Sequence, residues 1–386
     1  MPIEISNIQG GGTVEELTIT SNGTYNPPTG IDGFAPVVVN VPQDGSPPES
    51  AFNITGDCQY MFYDNHWKWF LDKYRNQITI NNIININWMF ANSSYEEIPF
   101  DIINITSSSS NMSYAFYYCT SLTKVPKIKF TNIPSYPPEM GSIFRDCHYL
   151  RELPDDYFTS MIDNWDTPNK SSSGGGKTSL FDDCYSLRTH PDMTCLEQNS
   201  AYCYLYHYTF QNCYTLDEVS NCPILPAKLT NNQFNSTFNY CHRLKNMTFR
   251  TNEDGSPVVA NWKNQTIFLS ASVGYANANT AFSITDYNSG ITADKRVSDD
   301  ATYQALKDDP DYWTTDINYS RYNHDSVVNT INSLPDTSAY LTANGGTNTI
   351  KFKGASGALT DGGAINTLTE EEIAVATAKG WTVSLV

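Results

Sequence analysis

The strongest constraint on this chain is a motif that returns six times, in which a phenylalanine is followed at fixed offsets by a small residue, a large apolar one and usually a proline. The starts are Phe90, Phe116, Phe144, Phe181, Phe210 and Phe238. Five copies read Phe-x-x-Cys-x-x-Leu, with Cys119 and Leu122, Cys147 and Leu150, Cys184 and Leu187, Cys213 and Leu216, and Cys241 and Leu244. The Phe90 copy is degenerate: Ser93 stands in the cysteine slot and Glu96 in the leucine slot, before Ile98-Pro99. Successive starts are 26, 28, 37, 29 and 28 residues apart, the period of stacked repeats.

In the clearest copy Met112, Phe116 and Cys119 fall at i, i+4 and i+7, which predicts one stripe of a short helix. Val125, Ile128 and Phe130 follow in a proline-punctuated stretch whose end alternates as a strand does. Such a unit cannot bury its apolar side alone, so neighbours stack, with Phe on Phe, Cys on Cys and Leu on Leu. The expected fold is mixed α/β: a leucine-rich-repeat-like solenoid of helical turn plus short strand, with a small N-terminal all-β module and a C-terminal αβ cap. Residues 1–42 form the β module, 43–51 a linker, 52–290 the solenoid, and 291–386 a linker and the cap.

Nine cysteines in 386 residues is a modest and odd count, and five share one repeat position, where a small apolar thiol packs well. They read as reduced, buried ladder thiols. No C-x-x-C pair supports zinc. Cys147-His148 and Cys241-His242 are neighbours on opposite sides of the chain and cannot converge on one ion without strain. Cys195, Cys203 and Cys222 lie off the ladder, and a disulfide among them is left open.

At the N-terminus, Leu17 to Thr20 alternate, Asn22-Gly23 is a turn signal, and Val37, Val39 and Val41 alternate again. The stretch from Gln43 to Ser50 holds no residue able to anchor a core. At the other end, Val327, Val328, Ile331 and Leu334 share one helical face, stopped by Pro335. Thr369 is a suitable N-cap for Glu370-Glu371-Glu372-Ile373, Lys379-Gly380 closes that helix, and Trp381, Val383 and Leu385 alternate as a last strand.

These residues carry a resemblance. The segment NGTYNPPTGIDGFAPVVVNV resembles a short motif of bacteriophage tail, baseplate and fibre proteins. The run Ala115-Phe116-Tyr117-Tyr118-Cys119-Thr120-Ser121-Leu122-Thr123-Lys124-Val125 is similar to BspA-type leucine-rich repeats, found on bacterial surface proteins and in phage structural proteins. The C-terminal stretches His324-Asp325-Ser326, Leu334-Pro335-Asp336, Thr349-Ile350-Lys351-Phe352 and Ala378-Lys379-Gly380-Trp381-Thr382-Val383 are similar to the terminal cap of many such proteins. The resemblance implies a structural virion protein and no catalytic residues.

Composition narrows the partners. The formal net charge of −18 argues against a phosphate backbone, which needs a basic footprint. No run of 18 apolar residues could span a membrane, and Met1-Pro2-Ile3-Glu4 begins neither a basic nor an apolar leader region. Gly174-Gly175-Gly176-Lys177-Thr178-Ser179 holds the Gly-Lys-Thr of a phosphate loop, but Ser171 stands where the motif needs glycine, and residues 163–177 read as an insertion in one repeat. Asp308-Asp309-Pro310-Asp311, with Asp299, Asp300 and Asp316, lacks the glycine and distal glutamate of a calcium loop and reads as a solvated acidic face. Asp155-Asp156 and Asp182-Asp183 read as turn formers. No cofactor or metal is expected.

The aromatic residues are the better functional clue. Tyr117, Tyr118, Tyr149, Tyr185, Tyr214 and Tyr240 sit beside the ladder position, so stacking would align them as a binding surface for glycan or protein. The expectation is a non-enzymatic virion protein of the tail, baseplate or fibre, attached to other virion proteins through residues 1–42 and adhering to a host-surface glycan or protein. A homo-oligomer is compatible with this reading; nucleic acid and membrane insertion are not expected. The alternatives are a head fibre or capsid decoration protein, a bacterial cell-surface adhesin, and a polysaccharide depolymerase.

Overall fold

The computed structural model describes residues 23–25, 37–39, 52–65, 78–105, 111–130, 139–161, 178–196, 207–213, 215–216, 218–222, 228–229, 234, 236–238, 241, 244, 246–269, 324–352 and 368–385. Each motif copy is one coil, and the coils are joined by their backbones. Ile86, Trp88, Phe90 and Asn92 donate their N–H groups to the carbonyls of Asn111, Ser113, Ala115 and Tyr117 in the next coil. Met112, Tyr114, Phe116 and Tyr118 in turn donate to Glu139, Gly141, Ile143 and Arg145. The N–H groups between them close local turns, Ala115 onto Met112, Tyr117 onto Tyr114 and Cys119 onto Phe116.

This arrangement corrects the expected short helix. Residues 113–118 are a run of turns, with three-residue rather than four-residue hydrogen bonds. The cause is a left-handed residue at every fourth position: Tyr60 and Asp64, Trp88 and Asn92, Tyr114 and Tyr118, Ser142 and Asp146, Ser179 and Asp183, Tyr208 and Asn212, all with φ between 52° and 62°. A left-handed residue breaks a right-handed helix and turns alternate N–H groups outward toward the next coil. The i, i+4, i+7 spacing survives because the reversal also recurs every four residues.

Inside the coils the phenylalanines stack. Phe62, Phe90, Phe116, Phe144, Phe181, Phe210 and Phe238 form six parallel pairs, with ring centroids 5.1 to 5.8 Å apart and planes within 13°. The stack begins one copy earlier than the cysteine motif suggests, at Phe62, where Asn65 takes the cysteine slot. It runs unbroken from Phe144 to Phe181 across the 37-residue spacing. Leu122, Leu150, Leu187, Leu216 and Leu244 are fully buried beside it.

On the strand side, β1 (Gly23–Tyr25), β2 (Val37–Val39), β3 (Phe52–Asp57), β4 (Ile78–Asn85), β5 (Ile102–Ile105) and β6 (Ile128–Phe130) form one six-stranded sheet in chain order. Strands β3 to β6 are parallel, as coil-to-coil stacking requires, while β1 and β2 are antiparallel. Val37 to Val39 pair directly with Phe52 to Ile54, so the N-terminal strands extend the sheet of the repeat region. Gly23, expected in a turn, is the first residue of β1. The expected strand at Leu17–Thr20 and the linker 43–51 lie outside the described residues.

Further along, β7 (Glu218–Cys222) pairs in parallel with β9 (Asn246–Phe249), and β8 (Lys228–Leu229) with β10 (Asn261–Trp262). Helix α1 (His324–Ser333) packs on β9, burying Val327 and Ile331, while Val328 is only half-buried. Ser333 Oγ accepts the Phe249 N–H at 3.0 Å. Helix α2 (Ser338–Asn344) precedes β12 (Asn348–Phe352), which lies between β11 (Thr266–Leu269) and β13 (Trp381–Leu385) in a parallel sheet. Helix α3 (Glu370–Ala378) is opened by a reciprocal cap: the Thr369 hydroxyl accepts the Glu372 N–H, and the Glu372 carboxylate accepts the Thr369 N–H. Gly380, at φ 81°, ends it; a Cβ there would lie 2.8 Å from Leu341 Cδ1. Trp262 and Trp381 are buried edge to face at the centre.

The Phe stack predicts where stability is most sensitive. Phe144→Ala removes a ring that touches partners above and below, and is expected to cost about 3–5 kcal/mol in urea unfolding. A loss under about 1 kcal/mol, the range of ordinary surface changes, would show that the stack does not hold the coils together.

Candidate functional site

The ladder cysteines have a polar task as well as an apolar one. Each thiol donates to the carbonyl of the phenylalanine one coil back: Cys119 to Phe90, Cys147 to Phe116, Cys184 to Phe144, Cys213 to Phe181 and Cys241 to Phe210, at 3.0 to 3.1 Å. The same carbonyl already accepts the N–H of its own coil's cysteine, as in Phe116 with Cys119. Ser93 fills the slot in the degenerate copy, and its hydroxyl donates instead to the Phe90 carbonyl of its own coil. Burial pushes the Cys119 thiol up to about 12 and raises the other four as well. All five are reduced thiols, and a thiol held this far from its thiolate is neither a nucleophile nor a metal ligand at neutral pH. Cys203 lies outside the described residues.

The tyrosines chosen for their place beside the cysteine do not form one continuous row. Tyr117 and Tyr118 are half-buried neighbours, 6.0 Å apart. Tyr185 stacks on His148 at 4.3 Å and 14°, and His148 meets Tyr118 edge-on at 6.3 Å. Tyr149 is half-buried; Tyr214 and Tyr240 lie outside the described residues. A tighter group was missed, two residues before each phenylalanine. Trp88 lies between Tyr60, at 6.0 Å and 23°, and Tyr114, at 4.4 Å and 14°. Tyr63 and Tyr117 flank it edge to face. The sequence signal was the doublet Met61-Phe62 against Met89-Phe90, hidden because neither copy carries the cysteine.

A charged cluster lies farther along the same face. Arg145 Nε is 3.5 Å from Asp146 and 3.4 Å from Asp182, and its Nη2 is 4.0 Å from Asp183. His148 Nε2 lies 3.8 Å from Asp146, and neither of its buried ring nitrogens has a hydrogen-bond partner. Three carboxylates thus share one guanidinium at loose distances, and Asp182 is only 4% exposed. Burial, with the Asp183 charge adding to it, holds the Asp182 carboxyl near 7, against the opposing pull of Arg145. Burial and Asp146 raise Asp183 too, although Asn212 donates to it at 2.7 Å. The turn role expected for Asp182-Asp183 fits Asp183, which is left-handed at φ 61°; Asp182 instead supplies a buried, easily protonated carboxyl. Among the described residues no group of His, Cys, Asp or Glu is placed to hold a metal ion.

A cavity of about 410 Å³ lies against the strand side, lined by Asp155, Asp192, Glu218, His190, Met193, Thr189, Ser220 and Asn221. His190 Nδ1 is 2.7 Å from the Pro191 carbonyl, and burial lowers its pKa, favouring the neutral ring. Thr178 and Ser179 belong to a coil, since Ser142 N–H donates to the Thr178 carbonyl, whereas residues 174–177 of the phosphate-loop candidate lie outside the described residues. So do Asp299, Asp300, Asp308, Asp309, Asp311 and Asp316. Among the described residues no helix is long and apolar enough to cross a membrane. Compared with known proteins, the chain matches no family model, no curated sequence and no solved structure.

Two outcomes follow. The folded chain is expected to leave its five ladder thiols unlabelled by a disulfide reagent at pH 8, with labelling only on unfolding; rapid labelling of Cys147 or Cys184 in the native state would contradict their burial. Asp182 titrates higher when folded than when unfolded, so its contribution to stability is complete below about pH 4 and lost as pH rises through about 7. The melting temperature of Asp182→Asn relative to the unmodified chain should therefore rise between pH 5 and 8, and a difference independent of pH would contradict the assignment.

Proposed function

We propose that this chain is a non-enzymatic structural protein of a bacteriophage virion, of the tail, baseplate or fibre region, whose repeats form a leucine-rich-repeat-type solenoid that displays a surface for adhesion. The observation that carries this reading is the in-register stack of seven phenylalanines, which repeats whatever lies on the outer face at coil intervals. A periodic outer face suits many weak contacts made at once, and display in several copies multiplies them. The motif NGTYNPPTGIDGFAPVVVNV supports attachment through residues 1–42, since it resembles motifs of phage tail proteins. The ladder adds order and rigidity and no nucleophile, because its thiols are protonated and buried.

Gold-labelled antibody against this chain, applied to purified particles, is expected to decorate the tail tip or baseplate. Label on the capsid would move the protein to a head-fibre or decoration role, and absence from every particle would overturn the virion reading in favour of a bacterial surface adhesin.

A further inference from the structure

We propose that the aromatic group around Trp88 is a binding platform for a neutral oligosaccharide. The assignment deepens the adhesion reading and rests on it for its setting. Both faces of Trp88 are occupied by its neighbours on the adjoining coils, Tyr60 on one side and Tyr114 on the other. Tyr63 and Tyr117 can then meet only its edge, and they do so at 6.3 Å and 65° and at 5.5 Å and 74°. Each is also nearly perpendicular to the ring in its own coil, Tyr63 to Tyr60 at 85° and Tyr117 to Tyr114 at 86°. The two tyrosines occupy the same position two coils apart, about 10 Å at ordinary strand spacing. The residue between them in that row is Ala91, which is fully buried, so no long side chain stands between the two rings.

The backbone does not ask for these aromatics. Tyr60, Trp88 and Tyr114 sit where φ is left-handed, a conformation that an ordinary residue adopts only at a cost. Serine fills the same position in two later coils, at Ser142 and Ser179, and tyrosine in one, at Tyr208, so the position accepts small and aromatic residues alike. Three consecutive aromatics at a strained position thus serve the surface they make, the pattern expected of a binding feature.

The chemistry of the rim selects the ligand. Residues 58–65, 85–94 and 111–118 contain one charged side chain, Asp64, in a chain of net charge −18. Flanking these aromatics in the sequence, and not buried, are neutral amides and a hydroxyl: Gln59, Asn85, Asn92 and Ser94. A sugar ring offers an apolar C–H face with hydroxyls at its edge, matching the rings of Tyr63 and Tyr117, which Trp88 holds edge-on while its own faces are covered. An acidic polymer would meet the field of the whole chain, and a cationic one would find here only Asp64 and, beside Tyr117, an Asp146 already faced by Arg145.

The test titrates cellohexaose, mannohexaose and N-acetylchitohexaose into the full chain by calorimetry, with an oligogalacturonate as the anionic control. At least one neutral hexasaccharide is expected to bind, and Trp88→Ser and Tyr117→Ala to weaken it at least tenfold with the melting temperature held within a few degrees. Tyr340→Ala, in helix α2, should leave binding unchanged. Where Trp88→Ser unfolds the chain, Tyr117→Ala decides. No binding of any neutral hexasaccharide, preference for the oligogalacturonate, or full binding by the folded variants would overturn the platform. A chain that decorates the tail and adheres to host cells without binding sugar would overturn the platform alone. Sugar binding lost in Tyr117→Ala, on a chain absent from particles, would overturn only the virion reading.

Discussion

Through its left-handed turns each coil hands alternate N–H groups to the carbonyls of the next, and everything else in the repeat region depends on that handover. It requires a left-handed residue at every fourth position, supplied by Asp64, Asn92, Tyr118, Asp146, Asp183 and Asn212 in one row and by aromatics or serine in the other. Asp and Asn tolerate this conformation best among residues with a side chain, which explains all of the first row but Tyr118. The handover also brings equivalent side chains into contact, so one well-chosen residue type is reinforced by its own copies. The stacked phenylalanines are the apolar result, and the Asn92–Asp64 and Asn212–Asp183 side-chain hydrogen bonds are the polar one.

The same rule makes mismatches consequential. Where the repeated position changes from Tyr117 to Arg145 and Asp182, neighbours that would stack must instead balance charge. Arg145 then serves three carboxylates, and Asp182 holds its proton up to about pH 7. The cysteine position shows the opposite case. A thiol is small enough for the interior and still donates to the second lone pair of a phenylalanine carbonyl, a pairing that valine could not provide.

Sequence periodicity reveals the contacts between coils and little of the backbone that makes them. Phe116 on Phe144 follows from spacing alone, because an apolar ring recurring every 26 to 37 residues has its own copies as the natural cover. The helix expected at Met112 to Cys119 failed because left-handed turns four residues apart leave the same apolar stripe as a helix. Thr369 and Gly380 were legible because caps are local chemistry. The Trp88 platform was not, since alignment on cysteine passed over the coil at Phe62, which carries Asn65, and left the Phe90 copy, which carries Ser93, as a degenerate one. The Arg145 cluster joins residues 37 positions apart, a distance that no single-sequence pattern spans.

Hydrogen exchange at the phenylalanine amides tests the handover most directly. Phe62, Phe90, Phe116, Phe144, Phe181 and Phe210 each donate to a carbonyl of the following coil, at 2.7 to 3.1 Å. Coils held only by their neighbours should open together, so these six amides are predicted to exchange slowly and with a common opening free energy. Fast exchange at these amides, or six unrelated opening free energies, would contradict a stack held together from coil to coil.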